Sequence, residues 1–152
     1  MIQDDYEPLP DAAGDPVAEL AADLHIAVMR LARRLRAERR ADIGSTQLGT
    51  LASVVRSGPV PMSELAAAEG VRGPSMTRTV ACLEGEGLVS RTIDPADGRR
   101  VLVAATDDGR RLIADIRRAR RAWLAERLAH VPEADRQVLG RAAVLLSELV
   151  QQ

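Results

Sequence analysis

The stretch SELAAAEGVRGPSMTRTVACLEGEGLVSRTIDPADGRRVLVAA, residues 63–105, decides the fold. It reads as two short helices joined by a tight turn, followed by a β-hairpin. SELAAAEG is the first helix, and Gly70 ends it. Pro74 suits the first turn of the second helix, where a missing backbone N–H costs little. Met76, Val80 and Leu83 then fall at steps of four and three, so they share one face. Gly87 ends that helix. Residues 88–93 and 101–105 read as two strands, with Val101, Val103 and Ala105 alternating to one side. Between them DPADGRR, residues 94–100, is a turn, because Asp-Pro and Asp-Gly favour chain reversal.

Upstream, a helix runs from Ser45 or Thr46, either of which suits its N-cap, to Arg56. Its inward set is Leu48, Leu51, Ala52 and Val55, and SGPVP at 57–61 breaks the chain. Three short helices followed by a hairpin is the order of a winged helix-turn-helix, with residues 74–86 as its recognition helix. At ~100° per residue, a helix that turns Met76, Val80 and Leu83 inward points Pro74, Arg78 and Ala81 away. Ser75 and Thr77 flank that outward face. Short hydroxyl side chains and an Arg near a helix start suit a DNA major groove, where Arg grips guanine through two hydrogen bonds. A hairpin beside such a helix is a wing. Its tip suits the narrow minor groove, whose negative potential attracts Arg, so Arg99 and Arg100 are candidate contacts. Asp97 is expected to pair with Arg99 and hold its stem.

The flanks are long amphipathic helices. Residues 16–41 place Val17, Leu20, Leu24, Val28, Leu31 and Leu35 on one face. Thr106, followed by two acids, caps a helix that runs to about Ala129 with a stripe of Leu112, Ile116, Ala119 and Trp123. Pro132 opens a last helix carrying Val138, Leu139, Ala142, Leu145, Leu146 and Leu149. These faces are too long and apolar to serve the small domain alone. They are read as a dimerisation layer built from both chain ends, with Val17, Leu20, Leu24, Leu128, Leu139, Leu145, Leu146 and Leu149 as contacts. A self-contained helical bundle is the competing arrangement. The expected fold is therefore mainly α with a small β-hairpin. The winged domain spans about 45–106 and the dimerisation helices about 16–41 and 107–151. Residues 1–14, acidic with Pro and Gly, read as a disordered lead-in.

Composition narrows the function. All 21 basic residues are Arg, a bias of composition, and the only large aromatics are Tyr6 and Trp123. The core must come from Leu, Val, Ile and Ala. Net charge is −1, but seven of the 22 acids lie in residues 1–23, where no base stands. The remaining chain holds 15 acids against 21 arginines, a net +6 compatible with a nucleic-acid partner. One cysteine, Cys82, forbids an internal disulfide and fits a reducing cytoplasm. There is no signal-peptide pattern and no apolar run of membrane-spanning length. His25 and His130 stand on different helices, and neither a zinc spacing nor a phosphate-binding Gly loop is present, so catalysis, a metal and a cofactor are not expected.

Residues 63–113 resemble the MarR family of winged-helix regulators. The resemblance lies in the Leu-Ala helix, the Pro-Ser start of the recognition helix, the LE…GLV.R exit, the D…D.R wing and the T..G start of the next helix. It implies a homodimer on a palindromic double-stranded DNA operator, with both termini in the interface. It also implies that Ser75, Thr77 and Arg78 read the major groove, and that Asp97 and Arg99 form the wing pair with Arg100 as helper. Gly98 stands where the family often has a basic residue, and Ala105 where it usually has Leu. Many members bind a small aromatic effector, for which His25, Met29 and Trp123 are the candidates here. Two other readings stay open. One is a winged-helix module that binds protein. The other is a thiol-based redox sensor through Cys82, whose bland reading is a small, semi-buried apolar residue.

Overall fold

The computed structural model describes residues 14–37 and 43–151. The lead-in expected at residues 1–14 falls, but for Gly14, outside the described residues, and so does the last turn expected of the first helix. The chain divides into two units, Met1–Ala37 and Glu38–Gln152. The first holds α1 (Pro16–Ala37), an amphipathic helix with no buried residue. Asp15 starts it, its carboxylate accepting the Val17 N–H at 2.9 Å.

The second unit runs α2 (Ser45–Ser57), β1 (Val60–Pro61), α3 (Met62–Ala68), α4 (Gly73–Gly85), β2 (Val89–Asp94), β3 (Asp97–Ala105), α5 (Asp107–Leu128) and α6 (Glu133–Leu149). The hairpin gains a third strand that periodicity did not predict. β1 pairs antiparallel with β3, Val60 opposite Val103 and Pro61 opposite Leu102, giving the order β1-β3-β2. The expected chain break at 57–61 is thus a turn plus a short edge strand. Gly58, at φ +76°, makes the turn, and Pro61 is tolerated because an edge strand need not donate on its outer side. The N-cap of α2 also differs from expectation. Gly44 occupies it, and Gln47 reaches back to accept the Gly44 N–H at 2.8 Å. Ser45 and Thr46 lie one and two positions inside.

The core sits where α2, α3, α4 and the sheet meet the first turns of α5. Leu51, Val54, Val80, Leu83 and Val103 are completely buried, and Met76 nearly so. The expected inward face of α4 is therefore observed. In α2 the deepest residues are Thr50, Leu51 and Val54, while Ala52 and Val55 are only half-buried. In α5 the expected stripe holds at Ile116 but not at its other positions. Ile113 and Ile116 are buried, whereas Leu112, Ala119 and Trp123 are half-buried.

The joint between the wing and α5 is tightly built. Thr106 donates its N–H to the Leu88 carbonyl at 3.1 Å and its hydroxyl to the Gly87 carbonyl at 2.7 Å. That same hydroxyl oxygen accepts the Gly109 N–H at 3.1 Å, which is the predicted N-cap. A Cβ on Gly109 would stand 2.1 Å from the Leu88 carbonyl oxygen. Only glycine lets the helix approach the strand so closely.

Candidate nucleic-acid interface

Burial of Met76, Val80 and Leu83 fixes the rotation of α4 and so decides what its other side presents. Ser75, Thr77 and Arg78 are all exposed near the helix start. Pro74 lies in the first turn, and Arg72 holds the N-cap position without a side-chain cap. The first backbone N–H of the helix is thus left for solvent or an anion. Thr77 donates its hydroxyl to the Gly73 carbonyl at 3.0 Å. Its proton is spent on its own helix, and its oxygen remains an acceptor for a base amino group. The Arg78 guanidinium makes no hydrogen bond or ion pair among the described residues. Glu84, a potential partner for it, is taken by Arg91 of β2 instead, Nε to Oε2 at 2.8 Å with a second bond from Nη2. That bond holds the Glu84 carboxyl below its ordinary range and raises the Arg91 guanidinium further.

The wing tip departs from the expected simple turn. Ile93 pairs with Val101, so a regular ladder would set Asp94 opposite Arg100. Asp94 pairs instead with Asp97, at a register shift. Gly98, Arg99 and Arg100 are the extra residues, bulged out of the ladder. Such bulges re-aim side chains at strand ends. Two carboxylates shape the tip. Asp94 accepts the Ala96 N–H at 2.9 Å, and Asp97 accepts the backbone N–H of Arg99 at 3.0 Å. The expected pairing of Asp97 with the Arg99 side chain is thus a pairing with its backbone. Fixing the backbone orients the residue and leaves its guanidinium without a bond or ion pair among the described residues. Arg100 is engaged, its Nη2 lying 2.7 Å from Oε1 of Glu64 on α3.

A groove of about 450 Å³ joins these parts. Met62 and Ser63 line it from the start of α3, Gly73 and Thr77 from the start of α4, and Arg91, Arg99, Arg100 and Val101 from the wing. Thr77, Arg99 and Arg100 are brought together here. Ser75 and Arg78 stay outside the groove on the exposed face of α4. Sequence reading missed Ser63, Glu64 and Arg91. The signal for Ser63 was faint, a hydroxyl residue at a helix start. Glu64 gave none, since its partner lies 36 residues on, and Arg91 gave none, since its partner stands on a different element, α4.

Of the predicted dimerisation residues, Val17, Leu20, Leu139, Leu145 and Leu149 are exposed, and Leu24, Leu128 and Leu146 are half-buried. His25 and Met29 are exposed on α1. Trp123 is half-buried on α5, with the Arg127 guanidinium 3.7 Å from its ring centre. Cys82 is exposed on α4, not semi-buried as expected, because it sits off the inward face set by Val80 and Leu83. Among the described residues, no group of acidic, His and Cys side chains is placed to hold a metal, and no helix is long and apolar enough to cross a membrane.

Known proteins carry the same pattern. The model of the MarR family matches residues 43–101. An HTH-type transcriptional regulator of Mycobacterium bovis is 43% identical over 139 residues, spanning 91% of this chain and 97% of the relative. The solved structure of a transcriptional regulator from Pseudomonas aeruginosa superposes with a TM-score of 0.81 at 38% identity, over 89% of this chain and 96% of that one. A MarR family protein from Bacillus stearothermophilus shares the fold at 24% identity, TM-score 0.76, over 90% of this chain and 96% of that one. These findings agree with the resemblance carried by residues 63–113 and with the winged helix-turn-helix class.

Proposed function

The chain belongs to the MarR family of DNA-binding transcriptional regulators, and on that premise we propose that it is a homodimeric repressor which reads a pseudo-palindromic operator. The observation that carries the reading is the bulged wing tip. It holds Arg99, whose guanidinium is uncommitted among the described residues, beside the groove at the start of α4. In this reading α4 enters the major groove. Arg78 makes the bidentate contact to guanine, and Ser75 and Thr77 contact backbone and base edges. Arg99 anchors the wing in the minor groove. Two copies would set half-sites ~10 bp apart. The exposed apolar residues of α1 and α6 support the dimer, because a lone chain would leave Val17, Leu20, Leu145 and Leu149 in water. Repression is the simplest consequence, since a dimer seated on a promoter excludes polymerase without a further contact. Such a regulator works in the cytoplasm and catalyses nothing. No effector is part of this proposal.

The test is fluorescence anisotropy with the DNA upstream of the protein's own coding region, across a salt series and against random competitor. Binding should resist competitor and fall steeply with salt as phosphate contacts release counterions. Arg99→Ala should weaken it, and Arg78→Ala should relax the preference at one base position at a cost of roughly 1–3 kcal/mol. Absence of binding to either DNA at low salt would overturn the proposal and make a protein partner the leading idea.

A further inference from the structure

The two neighbouring wing arginines are not equivalent. Both leave the β-ladder in the same bulge, and both line the same groove. Arg99 has its backbone pinned by Asp97 and its guanidinium uncommitted among the described residues. Arg100 reaches across to α3, a partner 36 residues away in sequence, and gives its Nη2 to Glu64. Both members of that pair are well exposed, 43% for the Arg100 side chain and 62% for Glu64. An exposed pair of this kind contributes little to stability. Its meaning lies elsewhere: it bonds a carboxylate to one of the three arginines that line the groove, Arg91, Arg99 and Arg100.

We propose that Glu64 is a specificity-determining residue of the DNA interface, acting by withholding Arg100 from phosphate. This rests on the DNA-binding reading above. A cation at the wing tip that met any phosphate would strengthen binding to every sequence alike, because phosphate contacts carry no sequence information. Non-specific binding is almost wholly of that kind. Holding Arg100 on Glu64 leaves the wing, among the described residues, one uncommitted cation, Arg99, whose backbone is pinned by Asp97. Glu64 acts through Arg100, so it is a positioning residue. Its carboxylate must be charged and at its present reach to do so.

The experiment compares wild type, Glu64→Gln, Arg100→Ala and the double variant by anisotropy on random duplex DNA and on the operator, across a salt series. Glu64→Gln should tighten binding to random DNA and steepen its log–log salt slope by ~0.9, the value of one added phosphate contact. That gain should shrink by about three- to fourfold between about 50 and 200 mM salt. Operator binding should gain less, because its register is already fixed, so the ratio of specific to random affinity falls. Arg100→Ala alone should leave the slope unchanged, and adding it to Glu64→Gln should return the slope to that of wild type. If Glu64→Gln leaves the slope unaltered, the proposal is wrong. It is equally wrong if Arg100→Ala alone lowers the slope, since Arg100 would then already be on phosphate. Persistence of the Glu64→Gln gain in the double variant would reassign the effect to plain repulsion between Glu64 and DNA. Failure of the wild type to bind any DNA would instead sink the underlying reading, a different and separable outcome.

Discussion

Between Ile43 and Ile116 the chain buries Leu51, Val54, Val80, Leu83 and Val103 completely, while along α1 and α6 it buries nothing. Yet the amphipathic period is the same in both regions. α4 shows Met76, Val80 and Leu83 at helical steps, as α6 shows Leu139, Leu145, Leu146 and Leu149. The first set is 1% exposed or less, while Leu145 is 58% and Val17 of α1 73% exposed. Helical periodicity describes a face, and what covers the face is a separate fact. The winged part finds its cover within its own chain. The terminal helices carry apolar faces that stay open, which is the physical content of the proposed homodimer.

The sharpest way to break this comparison is to cut into both regions. Leu51→Ala removes a completely buried side chain and should cost about 2–5 kcal/mol in denaturant unfolding. A loss below about 1 kcal/mol would mean that the core is looser than its burial implies. Replacing both Leu145 and Leu149 by Glu should instead act on association, weakening the dimer by about 2 kcal/mol or more in sedimentation experiments. The far-ultraviolet signature of helix should be retained. A variant that stays as tightly dimeric as wild type would remove α6 from the interface.

Smaller effects sharpen the boundary between the two regions. Gly109→Ala drives a Cβ against the Leu88 carbonyl where α5 leaves the wing. It should lower stability by about 1–3 kcal/mol, read as a fall in thermal midpoint. An unchanged midpoint would show that the joint yields easily. The smallest effect is that of acid. Glu84, held down by the hydrogen bond from Arg91, and Asp107, held down by that from Arg110, both lie below their ordinary values of 4.5 and 3.8. Their folded pKa values are depressed. Their contribution is therefore present above those ordinary values and is lost as pH falls through the lower folded ones. Both lie at the surface, Asp107 exposed and Glu84 half-buried, so the loss should be slight. Melting curves between about pH 6 and 3 should fall a little less for Glu84→Gln than for wild type. A steeper fall in the variant would contradict the sign.

Much of the fold was legible because it is local. The Thr106 cap needs only the residues that follow it. The inward face of α4 needs only a repeat of 3.6 residues per turn. Neighbouring details were lost where two local signals competed. Ser45 and Thr46 both looked like caps for α2, but Gln47 folding back on Gly44 took the position. In α5 the expected Ile116 is buried, while contact with the core buries Ile113 more deeply than the expected Leu112. DPADGRR announced a turn, but the turn is shorter than its composition suggested. Asp97 already belongs to β3, and the surplus residues leave as a bulge.

The amino-acid sequence by itself determined the order of helices and strands, the apolar face of each, and the presence of arginines at the wing tip. Each of these follows from the spacing of side chains along a regular backbone, a property of a few consecutive residues. Tertiary structure alone decided that β1 joins the sheet, that Arg91 holds Glu84, that Arg99 is uncommitted among the described residues and that Arg100 is held by Glu64. These depend on which distant segments the core brings within about 3 Å of one another. Local spacing carries no record of that, because a guanidinium has the same sequence signature whether it meets a carboxylate, a phosphate or water.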